Sequence, residues 1–322
     1  MSYEKEKEEI IFWGKKLYER GLVCGSSGNI SKKVNDKILI TAHNSYLGFL
    51  EKEDILILDR DGKILEGNKK PTSEIALHLA IHKNFSEKIV IHAHSPYTVH
   101  YFQYFKILKP FTFEEKFYLG KIPVIPQNTP TVTDILPVID ALKKNNIVVL
   151  KNHGIVAIGN DFKSTFSLIE LLEINAKLSL ITQAISPVKE EIKEEKHLEK
   201  CKLFSKEHIS SLVNIINNDE TVQSLGKTYN LTTILCVKDE KEAFSFYYEK
   251  GKIIKVKNDE ENAEFIFSTK REIWKQVFNG EIDPFVAFNQ GKIKLKGDFN
   301  KLSKWFPVFE RTFELWKKVA VD

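Results

Sequence analysis

The stretch Lys88–His94 reads KIVIHAH, and it indicates both the fold and the chemistry of the first half of the chain. Its β-branched run is typical of a buried strand, in which alternate side chains point to the same face. The imidazoles of His92 and His94 should therefore project together. A single strand histidine is usually packed or hydrogen-bonded in a core, but two in alternation, with further donors elsewhere, indicate a metal site.

Two further residues of the metal-ligand type occur upstream and downstream. His153 follows a second β-branched run, Ile147–Leu150, and is flanked by an asparagine and a glycine. Glu74 ends the segment PTSE, where a helix is expected to begin at Thr72 or Ser73. In that first turn Glu74 also has a structural interpretation, because a carboxylate stabilises the helix dipole. Three imidazoles and one carboxylate suit one divalent ion, with zinc preferred and manganese, iron or cobalt as alternatives.

Length, composition and charge describe a globular protein. The 322 residues are enough for two domains, and 42% hydrophobic with 29% charged residues is an ordinary balance. The net charge of +4 forms no basic stripe, so a nucleic-acid partner is not expected. The unpaired spacing of Cys24, Cys201 and Cys236 favours a reducing compartment. The start MSYEKEKEEI lacks a signal-peptide core and no run is long enough to span a membrane, so we expect a cytoplasmic protein.

The chain changes character after its first 188 residues. Apolar residues at helical spacing predict a helix over residues 3–20 and a long helix over Phe162–Ile185. Residues 189–200, KEEIKEEKHLEK, are almost all charged and predict an exposed connector. We therefore expect one domain at 1–188 and a second at 201–322. The pattern also predicts a loop over Lys109–Asn128 and a single closing helix over Leu302–Val319.

Four short motifs follow one another along the first part: GSSGNIS, PTSE, HAH and NHG. This ordered set resembles the class II aldolase/adducin family over roughly residues 5–186. The resemblance implies an α/β domain with a central mixed sheet flanked by helices, usually assembled as a tetramer. It also implies that His92, His94 and His153 bind the metal, and that Glu74 is a fourth ligand that can act as base.

The resemblance further implies an anion site for a sugar phosphate, at a loop of backbone N–H groups and at a helix N-terminus. A third phosphate loop of the family reads Thr-Pro-Ser/Thr-Gly. The matching segment here has a histidine and an asparagine at the hydroxyl and glycine positions, and both can donate hydrogen bonds. The residues that the resemblance assigns to anionic oxygen are Ser26, Ser27, Gly28, Asn29, Thr41, His43, Asn44, Thr72 and Ser73.

A second acid/base group is expected in the segment FEEKFYLG. Family aldolases use a tyrosine in this region and dehydratases a glutamate, so Glu115 is the first candidate and Tyr118 the second. The alternative for the glutamate is a solvated loop. His78 and His82 are four residues apart on the expected helix, but no glutamate adjoins His78 as a zinc-protease helix requires, so we interpret both as structural.

The second part contains NGEIDP followed by AFNQGKIKLKGD. Over residues 205–322 this part resembles the sterol-carrier-protein type lipid-binding domain. The resemblance implies a smaller α+β domain whose helices cover a twisted sheet and enclose a tunnel for an apolar ligand. The alternative is that its apolar residues only form the core. The candidates to line a tunnel are Phe285, Phe288, Leu302, Trp305, Phe306, Phe309, Phe313 and Trp316.

These observations predict a metal-dependent aldolase, a lyase that cleaves or forms a carbon–carbon bond in a small sugar or sugar phosphate. The reaction would pass through an ene-diolate, whose charge a divalent ion stabilises while Glu74 takes the proton from carbon. Dehydration or 4-epimerisation of a related sugar phosphate at the same site is the first alternative, and a glutamate as second acid/base would favour dehydration. A non-catalytic adducin-like scaffold or a lipid-binding protein is the alternative of another class.

Overall fold

The computed structural model describes residues 3–127, 129–185 and 200–322. The chain divides into two compact units, Met1–Glu190 and Glu191–Asp322. The predicted connector lies outside the described residues except for Lys200, so the domain boundaries at 188 and 201 stay a prediction. Among the described helices, none combines the length and the apolar character needed to cross a membrane.

Eight strands form one mixed sheet in the first unit. They are β1 (Asn29–Val34), β2 (Lys37–Thr41), β3 (Ile55–Leu58), β4 (Ile64–Glu66), β5 (Ile89–Ala93), β6 (Val124–Pro126), β7 (Ile147–Lys151) and β8 (Gly154–Gly159). Their order across the sheet is β4-β3-β2-β1-β5-β8-β7-β6, and β6 and β7 are the parallel pair among antiparallel neighbours. The predicted central mixed sheet is therefore confirmed.

Helices cover both faces of this sheet. They are α1 (Glu4–Glu19), α2 (Ile75–Asn84), α3 (Pro96–Tyr104), α4 (Phe113–Leu119), α5 (Leu136–Lys144) and α6 (Phe162–Ile185), with short 3-10 turns at Leu47–Phe49 and Lys52–Asp54. Residues of α1, α3 and α6 share a core with Ile89 and Ile91 of β5. Residues of α2 and α5 share the opposite core with Val90. His92, two residues after Val90, therefore lies on the α2 and α5 side.

Two local predictions in this unit are wrong. The predicted loop over Lys109–Asn128 contains α4, which is seven residues long and therefore too short for helical periodicity to be visible in the sequence. A capping box starts it, with the Thr112 hydroxyl accepting from the Glu115 backbone N–H and the Glu115 carboxylate accepting from the Thr112 N–H. The N-cap of α2 is Glu74 rather than Thr72 or Ser73.

The second unit is a smaller α+β domain, as predicted. Its strands are β9 (Thr233–Lys238), β10 (Ala243–Glu249), β11 (Lys252–Lys257), β12 (Phe265–Ser268) and β13 (Lys294–Lys296), in the order β11-β10-β9-β12-β13. Its helices are α7 (Lys206–Asn217), α8 (Glu220–Thr228), α9 (Arg271–Phe278), α10 (Pro284–Asn289), α11 (Phe299–Ser303) and α12 (Phe306–Trp316). The single closing helix was a wrong prediction, because a new helix begins at Phe306 with Pro307 in its first turn.

The apolar residues predicted to line a tunnel pack mainly on one another. The ring of Phe313 lies 4.5 Å from that of Trp316 and 5.0 Å from that of Phe285, between centroids. Six of the eight are buried, and Phe288 and Phe306 are half-buried. Rings at such distances contribute to a core beyond their area alone. The tunnel stays a prediction.

Candidate metal centre

The predicted metal ligands meet at one end of the eight-stranded sheet. His92 lies on β5 and pairs with Val156 of β8, and His94 follows directly after the end of β5. His153 lies in the tight turn between β7 and β8, which brings it back beside β5. The sheet therefore brings the side chains of His92 and His153 together, although they are some sixty residues apart in the sequence.

The three imidazoles form a nearly equilateral group. Their ring centroids are 4.7 to 4.9 Å apart, and one ligand nitrogen from each lies within 4.8 Å of the others. His92 Nδ1 donates to the Ile155 carbonyl at 2.9 Å, which leaves Nε2 as its ligand atom, 2.9 Å from His94 Nε2. Tetrahedral zinc with bonds of about 2.0–2.1 Å needs ligand nitrogens about 3.3 Å apart, a separation between the 2.9 Å from His92 to His94 and the 4.8 Å limit of the group.

Electrostatics also favour a metal. Burial lowers the pKa of His92 well below its usual value, and the neighbouring imidazoles of His94 and His153 add to the effect. Burial lowers the pKa of His94 to about 4 and also lowers that of His153. The imidazoles are therefore neutral near pH 7, as metal binding requires. Within the described ranges, no second group of three ligand-type side chains converges in this way.

Glu74 lies beside this group and is itself buried. Its Oε1 is 4.0 Å from His153 Nε2, and the Val132 N–H donates to both carboxylate oxygens at 3.1 and 3.2 Å. Burial raises the pKa of Glu74, against the effect of the hydrogen bond from Val132. A carboxylate with a raised pKa is a better proton acceptor near neutrality. Sequence reasoning missed Val132, because the contact spans 58 residues and has no local signal.

The glycine of the NHG motif has a steric explanation. A Cβ atom added to Gly154 would lie 2.5 Å from the Ala93 carbonyl oxygen, 3.0 Å from His92 Cε1 and 3.2 Å from His94 Cδ2. Gly28 has a positive φ of 81°, and a Cβ there would lie 2.9 Å from the His92 carbonyl oxygen. Both glycines therefore allow the backbone to approach the histidine strand closely.

The structure joins the segments predicted to bind anions. The Thr72 N–H donates to the Thr41 carbonyl at 3.2 Å, which places PTSE beside the TAHN segment. Asn44 has a φ of 59°, a left-handed conformation that glycine and asparagine tolerate best, so it fits the glycine position of the family loop. Ser27 Oγ accepts from the Cys24 N–H within its loop. The exposed members of the predicted set are Ser26, His43, Asn44 and Ser73.

His78 and His82 belong to a buried hydrogen-bonded chain. Ser31 Oγ lies 2.7 Å from His78 Nδ1 and 2.7 Å from His82 Nε2, and His78 Nε2 lies 2.6 Å from Asn29 Oδ1. Burial lowers the pKa of His78 to about 3 and that of His82 to about 4. These contacts support their interpretation as structural residues.

Glu115 and Tyr118 have different surroundings on α4. Glu115 is 2% exposed, and its Oε2 accepts from the N–H groups of Phe111 and Thr112 and from Asn175 Nδ2 at 2.6 to 3.0 Å. These contacts give Glu115 a structural role that needs no catalytic function. They also differ from the solvated loop that the sequence offered as the alternative. Tyr118 is 41% exposed. The acid/base role of either residue stays a prediction.

Two family models match the chain. The Class II Aldolase and Adducin N-terminal domain matches residues 8–180, and the SCP-2 sterol transfer family matches residues 213–310. L-fuculose phosphate aldolase from Methanocaldococcus jannaschii is 36% identical over 177 residues, 55% of this chain and 96% of that protein. A 3-oxo-tetronate 4-phosphate decarboxylase from Haemophilus influenzae is 33% identical over 186 residues, 55% of this chain and 88% of that protein.

A solved structure of L-fuculose 1-phosphate aldolase superposes with a TM-score of 0.54 and 26% identity, covering 58% of this chain and 91% of that one. At the end of the mixed sheet of this fold, three imidazoles converge that could hold a divalent ion. The chain belongs to the class II aldolase and adducin family, and its first unit is an aldolase-type lyase. The predicted resemblance of both parts is thereby confirmed.

Proposed function

We propose that residues 1–188 form a metal-dependent aldolase that cleaves or forms a carbon–carbon bond in a small sugar phosphate. The observation that carries the proposal is the group of three ligand nitrogens within 4.8 Å of one another, beside a buried carboxylate. A divalent ion held by His92, His94 and His153, with zinc our first choice, supplies Lewis-acid stabilisation of negative charge that develops next to a carbonyl. We further propose a cytoplasmic homo-oligomer, a tetramer by family resemblance.

Glu74 is proposed to move the proton. Its carboxylate lies close enough to His153 to serve as a fourth ligand, and its raised pKa suits it to take a proton from a carbon or hydroxyl of the substrate. The hydrogen bonds from Val132 hold both carboxylate oxygens in one place. A base held in a fixed position contributes to the rate through orientation as well as through basicity.

The phosphate of the substrate is proposed to bind where the loop after Cys24, the TAHN segment and the PTSE segment meet. The hydrogen bond between Thr72 and Thr41 and the left-handed backbone at Asn44 support a shared anion site there. Sugar-phosphate substrates of the fuculose-phosphate aldolases also support it. The proposed donors are the residues assigned from the sequence: Ser26, Ser27, Gly28, Asn29, Thr41, His43, Asn44, Thr72 and Ser73.

Tyr118 becomes the preferred second acid/base over Glu115. The Glu115 carboxylate already accepts three hydrogen bonds that close the start of α4, so a catalytic role would cost that helix its cap. Tyr118 is partly exposed and can carry a transferable proton. Tyrosine in this place favours aldol chemistry over dehydration.

The test supplies the zinc-loaded full chain with dihydroxyacetone phosphate and a panel of aldehydes, and follows product formation. Glu74→Gln should lower kcat by at least about a hundredfold, because a general base contributes about 10²–10⁴. Glu173→Gln is the matched control, since Glu173 is also buried and accepts hydrogen bonds from Tyr97 and Thr98 at the start of α3. Full activity in Glu74→Gln, or an equal loss in both variants, would contradict the proposal.

A second candidate reaction is decarboxylation of a 3-oxo acid phosphate. The 33% identity with the decarboxylase from Haemophilus influenzae favours it, since that relative is matched over 88% of its length. Release of carbon dioxide from such a substrate, with no condensation of dihydroxyacetone phosphate with any aldehyde, would select this reaction over aldol chemistry.

For the second unit we propose an apolar ligand. The match to the sterol transfer family supports this proposal. A groove of about 1010 Å³ offers room for such a ligand, and its lining combines apolar residues such as Val213 and Phe244 with nine polar or charged ones. Native mass spectrometry of the full chain should then show a co-purified lipid. Val213→Trp, which narrows the groove, should reduce its amount, and no bound lipid in the wild type would refute the proposal.

A further inference from the structure

A buried chain of four polar side chains runs back from the metal centre between β1 and α2. It links Asn29 to His78, His78 to Ser31, and Ser31 to His82, with heavy-atom distances of 2.6 to 2.7 Å. Asn29 of β1 pairs with His92 of β5 in the sheet. The other three members of the chain are 0 to 3% exposed. The proposed function uses Asn29 and leaves the other three without a role.

We propose that His78, Ser31 and His82 are positioning residues, which hold the Asn29 amide with its Nδ2 toward the anionic oxygen of the substrate. This inference rests on the proposed function, because it takes Asn29 as part of the anion site. The three residues touch no substrate themselves. They fix which end of the Asn29 amide the anion meets.

With Asn29 Oδ1 toward His78 Nε2, the contacts are consistent with one order of protons along the chain. The amide oxygen of Asn29 can only accept, so His78 Nε2 carries a proton and donates it. Burial favours the neutral imidazole, so His78 Nδ1 has no proton and accepts from the Ser31 hydroxyl. Ser31 Oγ in turn accepts from His82 Nε2. The reverse order would present the Asn29 oxygen to the anion and repel it.

The free end of the Asn29 amide supports this order. Asn29 Nδ2 has no hydrogen-bond partner among the described residues. It is absent from the set of buried atoms that lack a partner, so it is accessible to solvent. An amide nitrogen supplies two N–H donors, which stabilise an anion. The Asn29 amide therefore has N–H donors available for a ligand, and the hydrogen-bonded chain fixes their orientation.

The order of protons can be measured directly. Long-range ¹H–¹⁵N correlation spectra of the full chain labelled with ¹⁵N-histidine distinguish protonated from unprotonated ring nitrogens, and His78→Gln assigns the signals of His78 by their loss. We expect a protonated Nε2 and an unprotonated Nδ1 in His78. A protonated Nδ1 with an unprotonated Nε2 would reverse the chain and overturn the inference.

Anion binding is the second measurement, with inorganic phosphate as the probe, by calorimetry on the zinc-loaded full chain. His78→Leu removes the donor to Asn29 and should weaken phosphate binding at least about tenfold at unchanged zinc content. His78→Gln keeps an N–H and should restore the affinity to within about threefold of wild type. Ser31→Ala breaks the hydrogen-bonded chain between the two imidazoles, and its phosphate affinity should lie between those of His78→Leu and His78→Gln. This variant tests the inference even if His78→Leu does not fold.

Ser179→Ala is the matched control for Ser31→Ala, because Ser179 is also a buried serine and its hydroxyl hydrogen-bonds to Asn175 rather than to a histidine. Its phosphate affinity should equal that of wild type. Unchanged phosphate affinity in His78→Leu and Ser31→Ala would overturn the inference, as would a zinc-loaded wild type that binds no phosphate. Absent aldol activity, with phosphate binding and the rescue by His78→Gln intact, would refute the proposed reaction and leave this inference standing.

Discussion

The two domains differ in how they use buried polar groups. In the first, three imidazoles converge beside the Glu74 carboxylate at the end of one sheet, and His153 Nδ1 has no hydrogen-bond partner among the described residues. In the second, aromatic rings pack on one another and the buried Asp239 carboxylate is paired with Arg271 at 2.7 Å. Two buried atoms there, His208 Nε2 and Gln276 Oε1, also have no partner among the described residues, but neither belongs to a converging group of ligand-type side chains. Buried polar groups that converge in one place without partners indicate a functional site, whereas paired buried groups indicate a structural role.

Removal of the metal should give the largest difference between the domains. His92→Ala should lower bound metal from about one equivalent to below about 0.1 and abolish activity, because it removes one of three protein ligands. Chelation should lower the stability of the first domain by about 4 kcal/mol if metal is present at a thousandfold its Kd. Elemental analysis and scanning calorimetry of the full chain measure both effects.

His208→Gln is the control for this prediction. His208 is a fully buried histidine of the second domain, where it accepts from the Phe204 N–H. The variant should destabilise its own domain and leave the metal content unchanged. Metal retained by His92→Ala would mean that the three imidazoles are not the site.

The aromatic core should be the weak point of the second domain alone. Trp316 is buried, with its ring 4.5 Å from that of Phe313 and 5.1 Å from that of Phe278. Trp316→Ala should cost about 3–5 kcal/mol of unfolding free energy, measured by urea and circular dichroism. Metal content should not change. Ile254→Ala, at a 60% exposed side chain of β11, is the control and should cost within about 0.5 kcal/mol; an equal cost would mean that the rings are not a packed core.

Acid should destabilise the first domain more than the second. The pKa of His78 is about 3 and that of His82 about 4, against about 6.5 when unfolded. Between these values the unfolded chain binds protons that the folded domain does not, so stability falls as pH decreases below about 6.5. At pH 5 each group costs about 2 kcal/mol. The second domain has one such group, His208, whose pKa burial lowers to about 4.

Urea unfolding of the metal-free full chain at pH 7 and pH 5 measures this effect for each domain. His78→Gln should remove about 2 kcal/mol of the pH dependence of the first domain, since glutamine does not titrate. Equal losses in the two domains, or no change with His78→Gln, would contradict the assignment of the acid sensitivity to these imidazoles.

Elements with a strong periodic pattern could be predicted from the sequence. The predicted helix at Phe162–Ile185 has the observed bounds, and the helix predicted over residues 3–20 is observed as α1 (Glu4–Glu19). The grouping of His92, His94 and His153, which could hold a metal ion, was also predicted, because two histidines in alternation on a strand leave a local signal. The roles of the other motifs were predicted from the family resemblance.

Other features depend on tertiary contacts that leave no local signal. Strand β1, NISKKV, was missed because its lysines break the apolar pattern, although it lies between β2 and β5 in the middle of the sheet. Val132 reaches Glu74 across 58 residues. Ser31 could not be assigned a role, because a serine in a polar loop motif gives no sign that it bridges two buried histidines.

The smallest expected effect concerns the turn that carries His153. A methyl group at Gly154 would meet the Ala93 carbonyl oxygen at 2.5 Å and His92 Cε1 at 3.0 Å, so Gly154→Ala must displace the histidine strand. We expect a loss of about 1–3 kcal/mol in stability together with weaker metal binding. Thermal unfolding and metal titration of the full chain measure the two effects.

Gly21→Ala separates backbone strain from displacement of the ligands. Gly21 has a φ of 69°, and a Cβ added there meets nothing within 4 Å. The variant should therefore cost about 1–2 kcal/mol through its left-handed backbone and leave metal affinity unchanged. If Gly154→Ala also bound metal like wild type, the imidazoles would tolerate a shift of their strand, and close packing at Gly154 would serve the fold of the first domain rather than its chemistry.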